Sequence, residues 1–358
     1  MIMGITVGEL FQRFKETPYA VDVFHPEVRF SEFSPVESYH AGSIVFTDDL
    51  GRMEELRRSP PAALVTSPEM ARELKDLPEL GIIACENVTL AHAYMRQAFD
   101  DVDYRDHEWP RIHETAVVHE TSRVPASATI GPGAVIGRDV TLGEQVVVQA
   151  NAVIETGVVI GDETLVMAGV FIGRHCRIGH RVRLKPGCVI GAEGFGFARD
   201  EVSRYHRIPQ KGIVVIEDDV VVSANTTIDR ATYHETRICR GTKIDALCHI
   251  AHNVFIDEDC VLVAHTGIAG SSHLGKRVIA SGQTGILDHK RIADDVVLVH
   301  RAGVTEDITE PGTYAAGPAQ PFGEYTRNVS VFRKLHSLLK RVRSLEKRLE
   351  SPGDGQDG

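Results

Sequence analysis

Hydrophobic positions in this chain follow a six-residue rhythm over residues 112–304. From Ile112 a large aliphatic side chain returns at Val118, Val124, Ile130, Ile136, Leu142, Val148, Ile154, Ile160, Val166, Ile172, Ile178, Leu184 and Ile190. The series resumes at Ile216, Val222 and Ile228, breaks again, and runs from Ile238 through Ile244, Ile250, Ile256, Leu262, Ile268, Leu274, Ala280, Ile286, Ile292 and Leu298 to Val304. The residue two places earlier is also small or apolar, as at Ala128, Ala134, Val140 and Val146, and a glycine often follows the aliphatic one. Neither the 3.6-residue turn of a helix nor the simple alternation of a strand produces this spacing.

Short strands separated by a corner every six residues predict a hexapeptide β-helix. Three hexads make a triangular coil of 18 residues, which places positions 18 apart one above the other at about 4.8 Å. Each coil then covers the strand edges of the one before it, and the corner aliphatics form a single core. The expected fold is a left-handed parallel β-helix (hexapeptide repeats) with a small N-terminal α/β domain and a C-terminal helix.

The flanks do not share the rhythm. In the first hundred residues, ITVGELFQRFK predicts a short amphipathic helix, and SIVFT at 43–47, AALVTS at 62–67 and GIIAC at 81–85 predict strands. The charged stretch 100–113 reads as a boundary. After Val304, ITEPGTYAAGPAQPFGEY carries enough prolines and glycines to predict an ordered loop, and 331–350 predicts a helix whose Leu335, Leu338, Val342, Leu345 and Leu349 form an apolar seam. The expected division is 1–105, a small α/β domain; 106–308, the β-helix; and 309–358, an extended segment, a basic helix and a flexible tail.

Composition narrows the function. Lys and Arg number 39 against 50 Asp and Glu, a formal charge of -11, which disfavours a general nucleic-acid binder. No apolar run is long enough to span a bilayer, and the opening residues lack the pattern of a secretory signal. The six cysteines follow no disulfide or zinc-finger spacing, so reduced cysteines and a cytoplasmic location are expected. Against the overall acidity, the stretch from Arg327 to Arg348 holds eight Lys or Arg and the single acid Glu346. That basic surface would suit an acidic protein partner or serve only to solubilise the helix.

Candidate chemistry gathers where the rhythm breaks. The first interruption, 191–212, carries Glu193, Phe195, Phe197 and Tyr205 among closely spaced glycines, and reads either as a pocket wall or as a decorative excursion. The second, DRATYHETR at 229–237, puts Asp229 and Arg230 beside a four-residue insertion, as ligand contacts or as anchors of the loop. Just beyond it lie His249 and His252. His252, Gly270 and Asp288 are spaced by 18, with His289 next to the last, so a histidine, a glycine backbone and an acid–histidine pair fall on one longitudinal line. That line supplies a base near a backbone N–H able to stabilise an oxyanion, or else a polar stripe with satisfied histidines. No trio among the histidines has metal-ligand spacing.

Read together, IGAEGFGFA at 190–198, RIPQKG at 207–212, ANTTIDR at 224–230, KIDALCHIAHNV at 243–254, GIAGSS at 267–272 and GQTGILDH at 282–289 resemble the UDP-3-O-acylglucosamine N-acyltransferases of lipid A biosynthesis. The resemblance continues through GVTEDI at 303–308 to the terminal helix. It implies transfer of a 3-hydroxyacyl group from acyl carrier protein to the 2-amine of UDP-3-O-(3-hydroxyacyl)glucosamine by a homotrimer. The implied roles are His252 as general base, the amide of Gly270 as oxyanion donor, and Phe46, Asp49, Glu193, Phe195, Phe197, Asp245 and His289 as substrate contacts, and Asp245 could help orient a histidine if their side chains meet. Lys340, Arg341 and Arg343 would receive the carrier protein, whose 4'-phosphopantetheine bears the acyl group; no tightly bound cofactor or metal is implied.

The chain departs from the family pattern in carrying Asp49 where Asn is usual, Arg52 where a stacking Tyr is usual, and Ala246 where Asn is general. These departures leave two alternatives: acyl or acetyl transfer to a different nucleotide amino sugar, and a non-catalytic β-helical scaffold. A comparison of acyl donors separates the first, and an absence of transfer despite binding would identify the second.

Overall fold

The corner residues of the hexads from Ile130 to Val304 all end in one buried core, and Ile112, Val118 and Val124 pack against it partly buried. We describe a computed structural model covering residues 4–15, 20–106, 108–315 and 321–350, without the side chains of Phe322, Arg348 and Glu350. The tail at 351–358 and the Arg348 side chain, part of the basic surface expected above, lie outside the described residues. The chain divides into two compact units, Met1–Asp103 and Tyr104–Gly358.

In the second unit, two-residue strands stack into three parallel sheets of ten, ten and eight strands. The register is the 18-residue one: Val148 pairs with Val166, Ile154 with Ile172 and Ile160 with Ile178. Both interruptions preserve it, since Ile178 stacks on Ile216 and Ile228 on Ile250. The inserted residues therefore leave the prism outward and the core continues beneath them. This is a parallel β-helix, consistent with the left-handed hexapeptide-repeat fold expected from the sequence.

Corner geometry explains the small residues of the repeat. The third residue after the aliphatic position takes positive φ, as at Asp139 (58°), Asn151 (58°), Asn253 (62°) and Ser271 (62°). The glycine directly after the aliphatic residue answers a different need, because a Cβ on Gly161 would lie 2.6 Å from the carbonyl carbon of Gly179 in the next coil. Burying each corner Val, Leu or Ile contributes about 1.5–3 kcal/mol, and repetition along the axis makes the prism stiff.

The end of the helical prism differs from expectation. Gly312–Tyr314 forms a strand paired with Val296–Leu298, and helix begins at Phe322, immediately after Pro321. Pro321 is the last proline before the tail, and a proline just ahead of a helix costs it no hydrogen bond. Phe322–Phe332 and Leu335–Glu350 are separate helices, so the single helix expected over 331–350 is broken near Arg333 and Lys334. Its seam residues Leu335, Leu338, Val342, Leu345 and Leu349 are all exposed. Among the described residues, no helix is long and apolar enough to cross a membrane.

The first unit is a five-stranded sheet ordered Asp22–Phe24, Gly81–Ala84, Ala63–Thr66, Ser43–Phe46, Glu32–Phe33, with only the first of these antiparallel to its neighbour. A capping box at Thr6 and Glu9 starts the helix Val7–Phe14, while Ser67 and Asn87 cap Pro68–Leu74 and Val88–Asp100. All six cysteines of the chain are free and buried, and burial pushes the Cys188 and Cys260 thiols up to about 12.

Candidate active site

His249–Ile250 is a strand on the second face of the prism, and the turn after it carries His252 and Asn253. Asn253 sits at the positive-φ corner, a position asparagine tolerates better than most residues. Its Oδ1 accepts from the Thr232 amide N–H at 3.2 Å and lies 3.1 Å from Nδ1 of His252. A backbone amide can only donate, so this oxygen is the acceptor, and His252 donates to it through Nδ1–H. Nε2 of His252 is left with its lone pair, the form a general base needs.

Two glycines confine that ring. A Cβ on Gly270 would lie 2.6 Å from Cε1 and 2.9 Å from Nε2 of His252; one on Gly194, on the opposite loop, would lie 2.7 Å from its Cβ and 3.1 Å from Cδ2. Any other residue at either position would displace the imidazole. The Gly270 carbonyl accepts the His289 N–H at 3.0 Å, and the Ser271 N–H binds the His252 carbonyl at 3.0 Å. The Gly270 N–H donates to no described residue.

The two interruptions meet at this turn. Gln210, buried at 5% exposure, accepts from Thr232 Oγ1 at 2.9 Å and donates to the Ile208 carbonyl at 2.9 Å. Thr232 in turn binds Asn253, so the loop 191–212, the insertion at 229–237 and the His252 turn form one bonded unit. Arg230, also buried, donates to the carbonyls of Gly191 at 2.8 Å and Arg174 at 3.1 Å, which makes it an anchor of the loop. Asp229 is 6% exposed, and its Oδ2 is 3.8 Å from Nε2 of His249, whose Nδ1 lies 2.8 Å from the Thr227 hydroxyl. Burial pushes the Asp229 carboxyl up, and His249 and His252 oppose that rise.

Beside His252 runs an open cleft of 650 Å³ lined by Phe195, His249, Ala251, Gly267, Ala269, Gly270, Gly285, Leu287, Gly303 and Val304, among others. Gly267, Gly285 and Gly303 pair with one another in successive coils at the outward strand position, and a Cβ on any of the three would meet nothing within 4 Å. They form a bare track along the prism, bordered by apolar side chains. A smaller cavity of 210 Å³ lies at the other end of the prism, between Tyr104, Trp109 and the strands around Thr129 and Val147.

The structure brings together some residues singled out from the sequence and separates others. Phe195 lines the cleft, with Phe197 packed against it at 5.0 Å, and Glu193 is held by Arg207 at 2.9 Å across the hairpin. The His289 backbone rests on Gly270, while its side chain is exposed and pairs with Asp288, whose carboxyl that hydrogen bond lowers. Among the described residues, Asp245 bonds to no histidine side chain. It lies on another face, after Ile244, and its carboxylate accepts from the amides of Ala246 at 2.8 Å and Ala264 at 3.2 Å. Phe46 and Asp49 belong to the first unit, where Phe46 packs against Phe33 at 5.7 Å and His92 at 4.4 Å, and Asp49 caps the amide of Gly51 at 2.9 Å. Arg52 is tied to Glu55 at 3.3 Å and lies 3.7 Å from Glu37 and 3.8 Å from Asp49. Lys340, Arg341 and Arg343 are exposed on the last helix.

Sequence reasoning did not pick out Asn253, Thr232, Gln210 and Gly194. Asn253 was legible as the polar residue at a left-handed corner beside a histidine. The rest depend on how the two loops fold onto each other. Among the described residues, no three His, Cys, Asp or Glu side chains group as for a metal ion.

Residues 112–213 match a family profile described as GMPPB C-terminal domain. The UDP-3-O-acylglucosamine N-acyltransferase of Methylococcus capsulatus is 49% identical over 354 residues, covering 99% of this chain and 100% of that one. The protein of the same name from Anaeromyxobacter dehalogenans is 38% identical over 199 residues, 54% of this chain and 56% of that one. A solved UDP-N-acetylglucosamine acyltransferase from Campylobacter jejuni is 24% identical, covers 55% of this chain and 68% of that chain, and superposes with a TM-score of 0.38.

Proposed function

The chain belongs to the UDP-3-O-acylglucosamine N-acyltransferase family of lipid A biosynthesis, and from that premise we propose that His252 is the base that deprotonates the attacking sugar amine. The reaction is N-acyl transfer. The acyl donor is a 3-hydroxyacyl thioester on the 4'-phosphopantetheine of acyl carrier protein, and the acceptor is the 2-amine of UDP-3-O-(3-hydroxyacyl)glucosamine. As the C–N bond forms and the C–S bond breaks, the amine proton passes to Nε2 of His252, and the pantetheine leaves as its thiol.

One observation carries this assignment: the Thr232 amide makes Asn253 Oδ1 an acceptor, which commits His252 Nδ1 to donation and leaves Nε2 basic. The N–H of buried Gly270, which donates to no described residue, is suited to the thioester oxygen as it gains charge. The track of Gly267, Gly285 and Gly303 suits an extended apolar chain, so we assign it to the acyl group. Phe46, within its aromatic cluster, offers a stacking surface for uracil, with Asp49 beside it on the next loop. His289 serves placement of the donor rather than proton transfer, and the working assembly is a homotrimer.

The test is single-turnover acylation with saturating hydroxyacyl carrier protein and sugar nucleotide, with acetyl-coenzyme A as a competing donor. His252→Ala keeps its assembly and unfolding temperature but loses about 100-fold or more in rate, the range for a general base. His289→Ala loses less. A near-wild-type rate in folded His252→Ala would remove His252 from the role, and a strong preference for acetyl-coenzyme A would overturn the donor.

A further inference from the structure

Asp229 is used by neither the proposed proton transfer nor the framework of the turn. Its side chain is 9% exposed, yet among the described residues it receives no hydrogen bond, and the nearest cation-forming group is Nε2 of His249 at 3.8 Å, beyond hydrogen-bond distance. Arg230 beside it is also buried and is satisfied by two carbonyls. The Asp229 oxygens are not sealed from solvent, and because polar groups so nearly buried are almost always hydrogen-bonded, a carboxyl that no described group pairs, beside the cleft-lining His249, is open to a donor that arrives with the ligand. His249 lines the cleft, and both His249 and His252 lie close enough to act electrostatically on Asp229.

We propose that Asp229 accepts a hydrogen bond from the acceptor nitrogen and thereby sets the preference of this site for an amine over a hydroxyl. The proposal rests on the acyl-transfer reading with His252 as base. A neutral amine carries two hydrogens. One must be free to pass to Nε2 of His252, and the second can bond to Asp229, which aims the lone pair at the thioester carbon. A hydroxyl carries one hydrogen. If that hydrogen goes to His252, the buried Asp229 carboxylate has no donor, and leaving such a group unpaired is what makes polar sites discriminate strongly. Products balance in either case: the acyl carbon gains the new bond, loses sulfur, and the thiol departs with the proton carried through His252. Asp229 takes no part in that transfer. It is a specificity-determining contact to the reacting atom's other hydrogen.

The Thr227 hydroxyl engages Nδ1 of His249, so His249 is already oriented without Asp229. A purely structural role for Asp229 in holding His249 therefore predicts equal losses with every acceptor. Discrimination between an amine and a hydroxyl separates the two roles.

The experiment compares wild type, Asp229→Asn, Asp229→Ala and His249→Ala with two acceptors: the 2-amino sugar nucleotide and the matched compound bearing a hydroxyl at that position. We expect wild type to favour the amine strongly. Asp229→Ala lowers kcat/KM for the amine by about 100-fold while leaving the hydroxyl acceptor's slow rate within a few-fold, so the amine-to-hydroxyl ratio collapses by roughly the same factor. Asp229→Asn, whose amide oxygen still accepts, retains more of the ratio than Asp229→Ala, and His249→Ala leaves the ratio largely intact. A ratio unchanged in both Asp229 variants, with wild type active, overturns this inference and spares the acyl-transfer reading. A wild type that acylates neither acceptor overturns both. Thermal unfolding of each variant excludes loss of fold as the cause.

Discussion

The imidazole of His252 lies so close to Gly270 that a Cβ on the glycine would stand 2.6 Å from Cε1 and 2.9 Å from Nε2. Gly270 is therefore required by the ring beside it, and its φ lies outside the left-handed region that would itself demand glycine. Gly270→Ala must push the imidazole aside or tilt it. We expect kcat to fall by about 100-fold or more, comparable to loss of the base itself, because a displacement near 1 Å suffices for such a loss. Gly194→Ala presses on the ring from the opposite loop and should act in the same direction. Unfolding temperature and single-turnover rate, measured together, check both. An active Gly270→Ala would mean that the ring has room to move without consequence.

Behind that contact lies the bare track. Gly267, Gly285 and Gly303 have no neighbour within 4 Å of an added Cβ and no strained φ, so larger side chains there leave the fold intact. Gly285 and Gly303 lie one and two coils beyond the coil that holds Gly270. Gly303→Val should shorten the longest acyl chain accepted, and Gly285→Val should shorten it further, each lowering transfer of the native-length chain by about 10-fold or more while sparing shorter donors. A length series of acyl carrier proteins reads this directly. Uniform losses at all lengths would place the acyl chain elsewhere.

A buried carboxyl without a donor also leaves a signature in stability. Burial raises the folded-state pKa of Asp229 above its ordinary 3.8, against the opposing pull of His249 and His252, the titratable groups that act on it. Between 3.8 and the raised value the native state holds a proton that the unfolded state has lost, so the Asp229 contribution to stability falls as pH rises through that window. Asp229→Asn removes the titration. The unfolding temperature of the variant minus that of wild type should climb with pH across the window and then level off. A flat difference from acid to neutral pH would mean that the carboxyl is not destabilised by its burial.

The scaffold was legible because its physics is periodic. A corner aliphatic such as Ile154 repeats the environment of Ile136 and Ile172, and pairing places the three in one column, so one rule covers the whole prism. The line from His252 to Gly270 to Asp288 follows from the same 18-residue step. What the period does not encode is contact between the two interruptions. Thr232 binding Asn253 and Gln210, and Gly194 closing over His252, depend on loops that obey no repeat. Asp245 shows the opposite failure: it is near the histidines in sequence, yet a corner separates it from them, and it caps Ala246 and Ala264 instead. The terminal helix was located by its apolar seam, but the break near Arg333 was not, since Arg and Lys are good helix formers.

The exposed basic face of that last helix leads to the final prediction. Lys340, Arg341 and Arg343 are exposed on a chain whose formal charge is -11, so a cationic patch there stands out against its own background. Such a patch raises the encounter rate with an acidic carrier through long-range attraction, and it contributes less to the lifetime of the docked complex. Reversing all three to Glu should lower kcat/KM for the acyl carrier protein by about 10-fold at low salt, with the gap narrowing as salt screens the charges. Transfer from a short acyl-pantetheine donor, which carries no acidic protein, should change little. That pairing distinguishes lost steering from a disturbed site, and solution mass shows whether the reversal changes the oligomeric state. Unchanged kcat/KM for the carrier at low salt in a correctly assembled variant would move the docking surface off this helix.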